Sequence, residues 1–95
     1  MDYRIKERSW IARIAAWKLS YKRLAIVMGS TIHLHNATKD EFLANTRWVK
    51  HELCHVRQFR RYGFIRFLVL YLWESMRKGY YMNKYEVEAR RAESQ

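Results

Sequence analysis

The chain has 95 residues, with 19 Lys or Arg against 9 Asp or Glu and a formal net charge of +10 at pH 7. That length suits one domain, spanning 1–95, with a modest core to which a bound metal or a partner chain would add useful stability. A hydrophobic content of 49% excludes a disordered chain, and a single cysteine, Cys54, excludes a disulfide framework and fits a reducing compartment.

Residues 3–20 follow a helical pattern, with Trp10, Ile14 and Trp17 at i, i+4 and i+7 and Ile11 and Ala15 beside them. Arg4, Lys6, Arg8, Arg13 and Lys18 fill the remaining positions. The stripe predicts a helix packed on the core; an interfacial membrane helix and a segment lying across an active site are the alternatives. Charges are mixed through this segment and no apolar run leads to a small-residue cleavage site, so no signal peptide is expected and the expected location is cytoplasmic. The longest apolar stretch, 64–73, is interrupted by Arg66 and is about half the length a bilayer span requires.

Residues 24–27 are a short apolar run, and 31–35 alternate with period two, which predicts a hairpin turned at Gly29. Thr31, His33 and His35 then share one face and Ile32 and Leu34 the other. No carboxylate or cysteine accompanies the two histidines, so they read as an exposed strand face rather than a second metal site. Residues 36–40 are polar and supply Thr38 or Asp40 as N-cap for a long helix beginning near Glu41. That helix is expected to run to about Tyr62, with Val49, Leu53 and Val56 facing the core and Gly63 as the terminating residue. Residues 64–78 form a second helix, apolar on nearly all sides and so expected to be buried or covered by a partner, such as another copy. Gly79 ends it, 80–83 connect, and 84–94 form a last, charged helix. The reading is an α+β chain, mainly helical with about four helices and a small antiparallel sheet.

Within the long helix, His51-Glu52-Leu53-Cys54-His55 is an HExxH motif. Histidines four apart project from one face of a helix one turn apart, so both imidazoles reach a single ion of zinc's size. Glu52 lies beside that ion, placed to take a proton from water as general base. Cys54 points away from the histidine face and reads as a buried thiol. Catalytic zinc takes three protein ligands and keeps one position open. Gln58 and Arg61 stand where the HExxHxxGxxH extension needs Gly and His; Asp2, Asp40, His33 and His35 all precede the motif. Glu74, Glu86, Glu88 and Glu93 follow it, so the third ligand is expected to be a glutamate.

The stretch Glu86-Val87-Glu88-Ala89 resembles the Glu-x-x-Ala element of gluzincins, whose Glu is a ligand and whose Ala lets its helix approach the motif helix. Taken with its size, residues 24–91 resemble the minigluzincins, minimal-scaffold zinc peptidases. The resemblance implies Zn2+ held by His51, His55 and Glu86, with Glu74 or Glu88 as the alternatives to Glu86. It also implies a zincin-like sheet above the active-site helix, with 31–35 as the edge strand receiving a peptide or protein substrate. A latent enzyme is implied as well, its cleft filled by a terminal segment such as helix 1–20 or by a neighbouring copy. Many gluzincins follow Glu-x-x-Ala with an Asp that supports a motif histidine; here Arg90 stands there, so that support has to come from elsewhere. Tyr80, Tyr81 and His33 are candidate donors to a developing oxyanion.

Two other readings compete. One is a basic module binding nucleic acid or an acidic partner, carried by the net charge and the clusters Arg57/Arg60/Arg61 and Arg90/Arg91, with a fortuitous HExxH. The other keeps the zinc but makes the domain catalytically silent.

Overall fold

Alternation and turn chemistry build the sheet. A computed structural model describes residues 2–95, with elements β1 (Arg4–Lys6), α1 (Trp10–Leu19), β2 (Leu24–Met28), β3 (Thr31–His35), α2 (Lys39–Ala44), α3 (Thr46–Tyr62), α4 (Phe64–Met82) and α5 (Lys84–Ala92). β2 and β3 pair antiparallel through a turn at Gly29, whose φ of 67° is open to glycine at no steric cost and whose missing Cβ would meet the Phe64 ring at 3.2 Å. Ala25, Val27, Ile32 and Leu34 face the main core, where they join Phe42, Val56, Phe59, Phe67 and Tyr85. The fold is therefore α+β and mainly helical, with five helices among the described residues.

The sheet departs from expectation in two ways. Residues 4–6 are not helical: they form a third strand that pairs parallel with β3, Ile5 opposite Ile32. The strand order is thus β1-β3-β2, so 31–35 is the central strand and β1 and β2 are the edges. Helix α1 starts only at its N-cap Ser9, whose side chain accepts from the Ala12 amide.

α1 also packs with the opposite face to the one its pattern suggested. Ala12 and Ala16 are fully buried, at 0% and 2% exposure, whereas Trp10, Ile14 and Trp17 point outward at 64%, 56% and 79%. Its contacts are with β2 and β3. It covers the sheet face that carries His33, which corrects the reading of that face as exposed. His33 is buried and its Nδ1 lies 2.8 Å from the Ser9 hydroxyl. The same Ser9 Oγ accepts from the Ala12 amide, which ties the imidazole to the start of α1. Burial, then the charge of Lys6, push the His33 pKa below its ordinary 6.5.

The helix expected from Glu41 is two helices. Thr38 caps α2 in a reciprocal pair with Glu41, while Asn45 stops α2 and caps α3 through its side chain to the Trp48 amide at 3.1 Å. A short polar side chain able to satisfy a backbone amide competes with helix continuation, and here it wins. α4 ends its regular course at Gly79, where φ is 81°. Its outer residues Ile65, Val69, Leu72, Trp73 and Met76 are exposed, so this helix is buried on one side only and nothing among the described residues covers the other. No helix among the described residues is long and apolar enough to cross a membrane.

Candidate metal centre

α3 presents His51 and His55 from one face, and α5 packs across that face close enough to deliver a carboxylate. The close approach depends on small side chains: Ala89 and Ala92 of α5 are buried against Cys54 of α3. Asn83 caps α5 through the Tyr85 amide and ties the connector to α4 through Tyr71 O and Ser75 Oγ. Glu86, in the first turn of α5, then lies 3.1 Å from His51 Nε2 through Oε1 and 3.2 Å from His55 Nε2 through Oε2. His51, His55 and Glu86 form the one group of three such donors found among the described residues, all within 4.8 Å of one another.

The far side of each imidazole is fixed. His51 Nδ1 lies 2.7 Å from Glu93 Oε2, and His55 Nδ1 lies 2.8 Å from Gln58 Oε1. Gln58 sends its amide nitrogen to Glu88 Oε1 at 2.6 Å and to Tyr85 O at 3.2 Å, both acceptors, so its carbonyl oxygen must face His55. Both Nδ1 atoms are therefore donors, and both Nε2 atoms are the ones turned to Glu86. Tyr71 donates its hydroxyl to Glu86 Oε2.

Charge follows geometry. Burial opposes ionisation of His51, but its hydrogen bond to Glu86, the Glu52 charge and the Glu93 bond outweigh that and raise its pKa to about 9. His55 is raised on the same balance, burial being overcome by Glu86 and then Glu52. Burial likewise disfavours a charged Glu86, yet the two imidazoles and Tyr71 hold it well below the ordinary carboxylate range. The cluster is one carboxylate held between two imidazoles. The same three donors could hold a metal ion.

That donor set suits zinc. Two Nε2 atoms and a carboxylate match a catalytic His-His-Glu set, and N···O spacings of 3.1 and 3.2 Å are near the roughly 3.3 Å edge of a tetrahedron with bonds of about 2.0–2.1 Å. Each imidazole is oriented by a partner on its other nitrogen, as metal-bound histidines are.

Glu52 is buried beside the cluster. Burial raises its pKa to about 7, against the pull of the neighbouring His55 and His51. It lines, with His51, a cleft of about 430 Å³ whose other walls include Leu24 and Ala25 of β2, Trp48, and Tyr80. No described residue of 2–20 lines this cleft, so α1 does not lie across it.

Of the residues singled out from sequence, Glu86 joins the histidines and Glu74 and Glu88 do not. Glu74 is buried on α4, one turn from Lys78, whose Nζ lies 3.5 Å away, and Glu88 holds Gln58. Cys54 is a buried thiol, pushed by burial and then Glu88 up to about 11. Tyr80 reaches the cleft; Tyr81 is exposed beneath the Arg90 guanidinium, and His33 lies on the far sheet face. Sequence reasoning missed Gln58 and Glu93 as supports of the histidines and Tyr71 as a donor to Glu86. Gln58 was within reach, since i+3 from His55 lies on the same helix face; Glu93 and Tyr71 arrive through tertiary packing. No family model matches the chain, and no curated protein or solved structure matches it either.

Proposed function

We propose that this chain is a zinc-dependent metallopeptidase of the minigluzincin kind, with His51, His55 and Glu86 as ligands and Glu52 as general base. The observation that carries the reading is the convergence of both Nε2 atoms and the Glu86 carboxylate beside a buried Glu52, which with His51 lines a cleft bounded by the edge strand β2. When bound, zinc supplies Lewis acidity, acidifying water and polarising a carbonyl.

The chain's own residues supply the rest. Glu86 and the imidazoles, fixed by Gln58 and Glu93, hold the ion. Glu52, with a pKa near neutrality, takes a proton from the attacking water and later gives one to the leaving amine. The free edge of β2 offers main-chain hydrogen bonds to an extended peptide; β3, paired on both sides, has none to give. Tyr80, whose burial and nearby carboxylates keep its phenol protonated, donates to the developing oxyanion.

Zinc stoichiometry and peptide hydrolysis in the wild type beside Glu52→Ala and Glu86→Ala test this. Glu52→Ala is expected to keep the metal and lose turnover, and Glu86→Ala to lose metal affinity. Release of zinc by Glu74→Ala with retention by Glu86→Ala would refute the ligand set. Wild-type protein that binds zinc and cleaves no peptide in a broad library would leave a silent zinc domain in its place.

A further inference from the structure

α1 turns its small residues to the sheet and its large ones to the outside. Trp10, Ile14 and Trp17 lie within about 60° of one another around the axis, opposite Ala12 and Ala16, and form an apolar strip about two turns long. Nothing among the described residues covers it. Exposed aromatic and aliphatic groups grouped in this way mark contact surfaces rather than ordinary scatter.

Charge identifies the occupant. Arg13 and Lys18, both exposed, flank the strip on opposite sides at helical spacing. Residues 1–23 hold seven Lys or Arg against Asp2 and Glu7, a formal +5, half of the chain's net charge in a quarter of its length. A second copy docking here would set +5 against +5. An anionic lipid surface meets both features at once, with hydrocarbon for Ile14, the headgroup boundary for the two tryptophans, and phosphate for the flanking cations. The neutral packing of the sheet side through Ala12 and Ala16 leaves α1 free to lie flat.

We propose that α1 docks this protein on an anionic phospholipid surface, its axis in the plane and the Trp10–Ile14–Trp17 strip inserted at the headgroup boundary. The site stands independently of the metal centre, from which the sheet separates it.

The test is flotation of the full chain with vesicles of phosphatidylcholine alone and of phosphatidylcholine mixed with phosphatidylglycerol. Binding is expected on the mixed vesicles only, and it should weaken as salt rises. Trp10→Gln/Trp17→Gln should lower it about tenfold or more, since each ring removed forfeits a large apolar contact with lipid. Arg13→Glu/Lys18→Glu, which keeps the strip, should also lower it and provides a second reading if the tryptophan variant fails to fold. Val69→Gln/Trp73→Gln, on the exposed face of α4, should leave it unchanged. The proposal is overturned if wild type ignores the mixed vesicles or if the α4 variant alone abolishes binding. It is equally overturned by a dimer without lipid that the α1 variant dissolves, or by single-stranded RNA binding to the strip in place of vesicles.

Discussion

In the proposed metal centre, the residues that orient the ligands are those behind them. His51 and His55 each spend one ring nitrogen on a protein acceptor, and that choice aims the other at Glu86. Gln58→Ala or Glu93→Ala is therefore expected to weaken zinc binding about 10- to 100-fold while leaving all three ligands in place. Competition with a chromophoric chelator measures it; unchanged affinity in both variants would mean that the rings are aimed by packing alone. Glu93→Gln keeps an acceptor oxygen and should lose less than Glu93→Ala. Tyr80 separates differently. Its phenol lines the cleft without touching the cluster, so Tyr80→Phe should lower kcat by about 10²-fold with zinc content and KM little changed. Steady-state peptide hydrolysis decides this, and a change confined to KM would make Tyr80 a substrate contact instead.

At the scale of elements, Asn45 and Ser9 start the two helices that matter most. Asn45→Ala removes the side-chain acceptor at the head of α3 and should cost about 1 kcal/mol in denaturant unfolding, with zinc stoichiometry intact because the histidines lie beyond the first turn. Ser9 joins α1 to His33, and that contact is sensitive to pH. The folded pKa of His33 lies below 6.5, so between the two values the unfolded chain binds more protons and acid favours unfolding. His33 thus contributes stability that is complete above pH 6.5 and declines as pH falls below it. In chelator, the Tm of wild type should fall more than that of His33→Gln between about pH 7.5 and about pH 5; parallel curves would remove the role assigned to His33.

These same elements explain what was legible in the chain. The β2–β3 hairpin, α3 with its motif, and Gly63 and Gly79 as stops all follow from local spacing, and so does the pairing of His51 with His55. Glu86 was legible through Ala89, whose small side chain has a structural purpose at the α3–α5 contact. β1 was not, because three residues of parallel pairing leave no local signature and depend on a strand 27 residues away, Ile5 opposite Ile32. Without β1, the pattern alone leaves β3 at the edge. α1 misled for a different reason: helical spacing reveals that Trp10, Ile14 and Trp17 share a side, but only the partner decides whether that side faces in or out.

For the molecule as a whole, the candidate metal centre sits where three helices meet, and its buried Glu52, His55 and Glu86 beside the partly buried His51 are costly to assemble without an ion. Glu86 comes from α5, the histidines and Glu52 from α3, and Tyr71 from α4, so an ion bound to three side chains also ties α5 to α3. In a domain this small, such a tie is a large share of total stability. At a zinc concentration 1,000 times the dissociation constant, binding adds about 4 kcal/mol, which for a domain of this size corresponds to a rise in Tm of roughly 15–30 °C. Scanning calorimetry with and without chelator reads this directly. Wild type and Glu52→Gln should both show the shift, because neither loses a ligand, whereas Glu86→Gln should melt at one temperature under both conditions. A shift in wild type that survives Glu86→Gln would place the ion somewhere other than between α3 and α5, and would remove the metal from its proposed place beside Glu52.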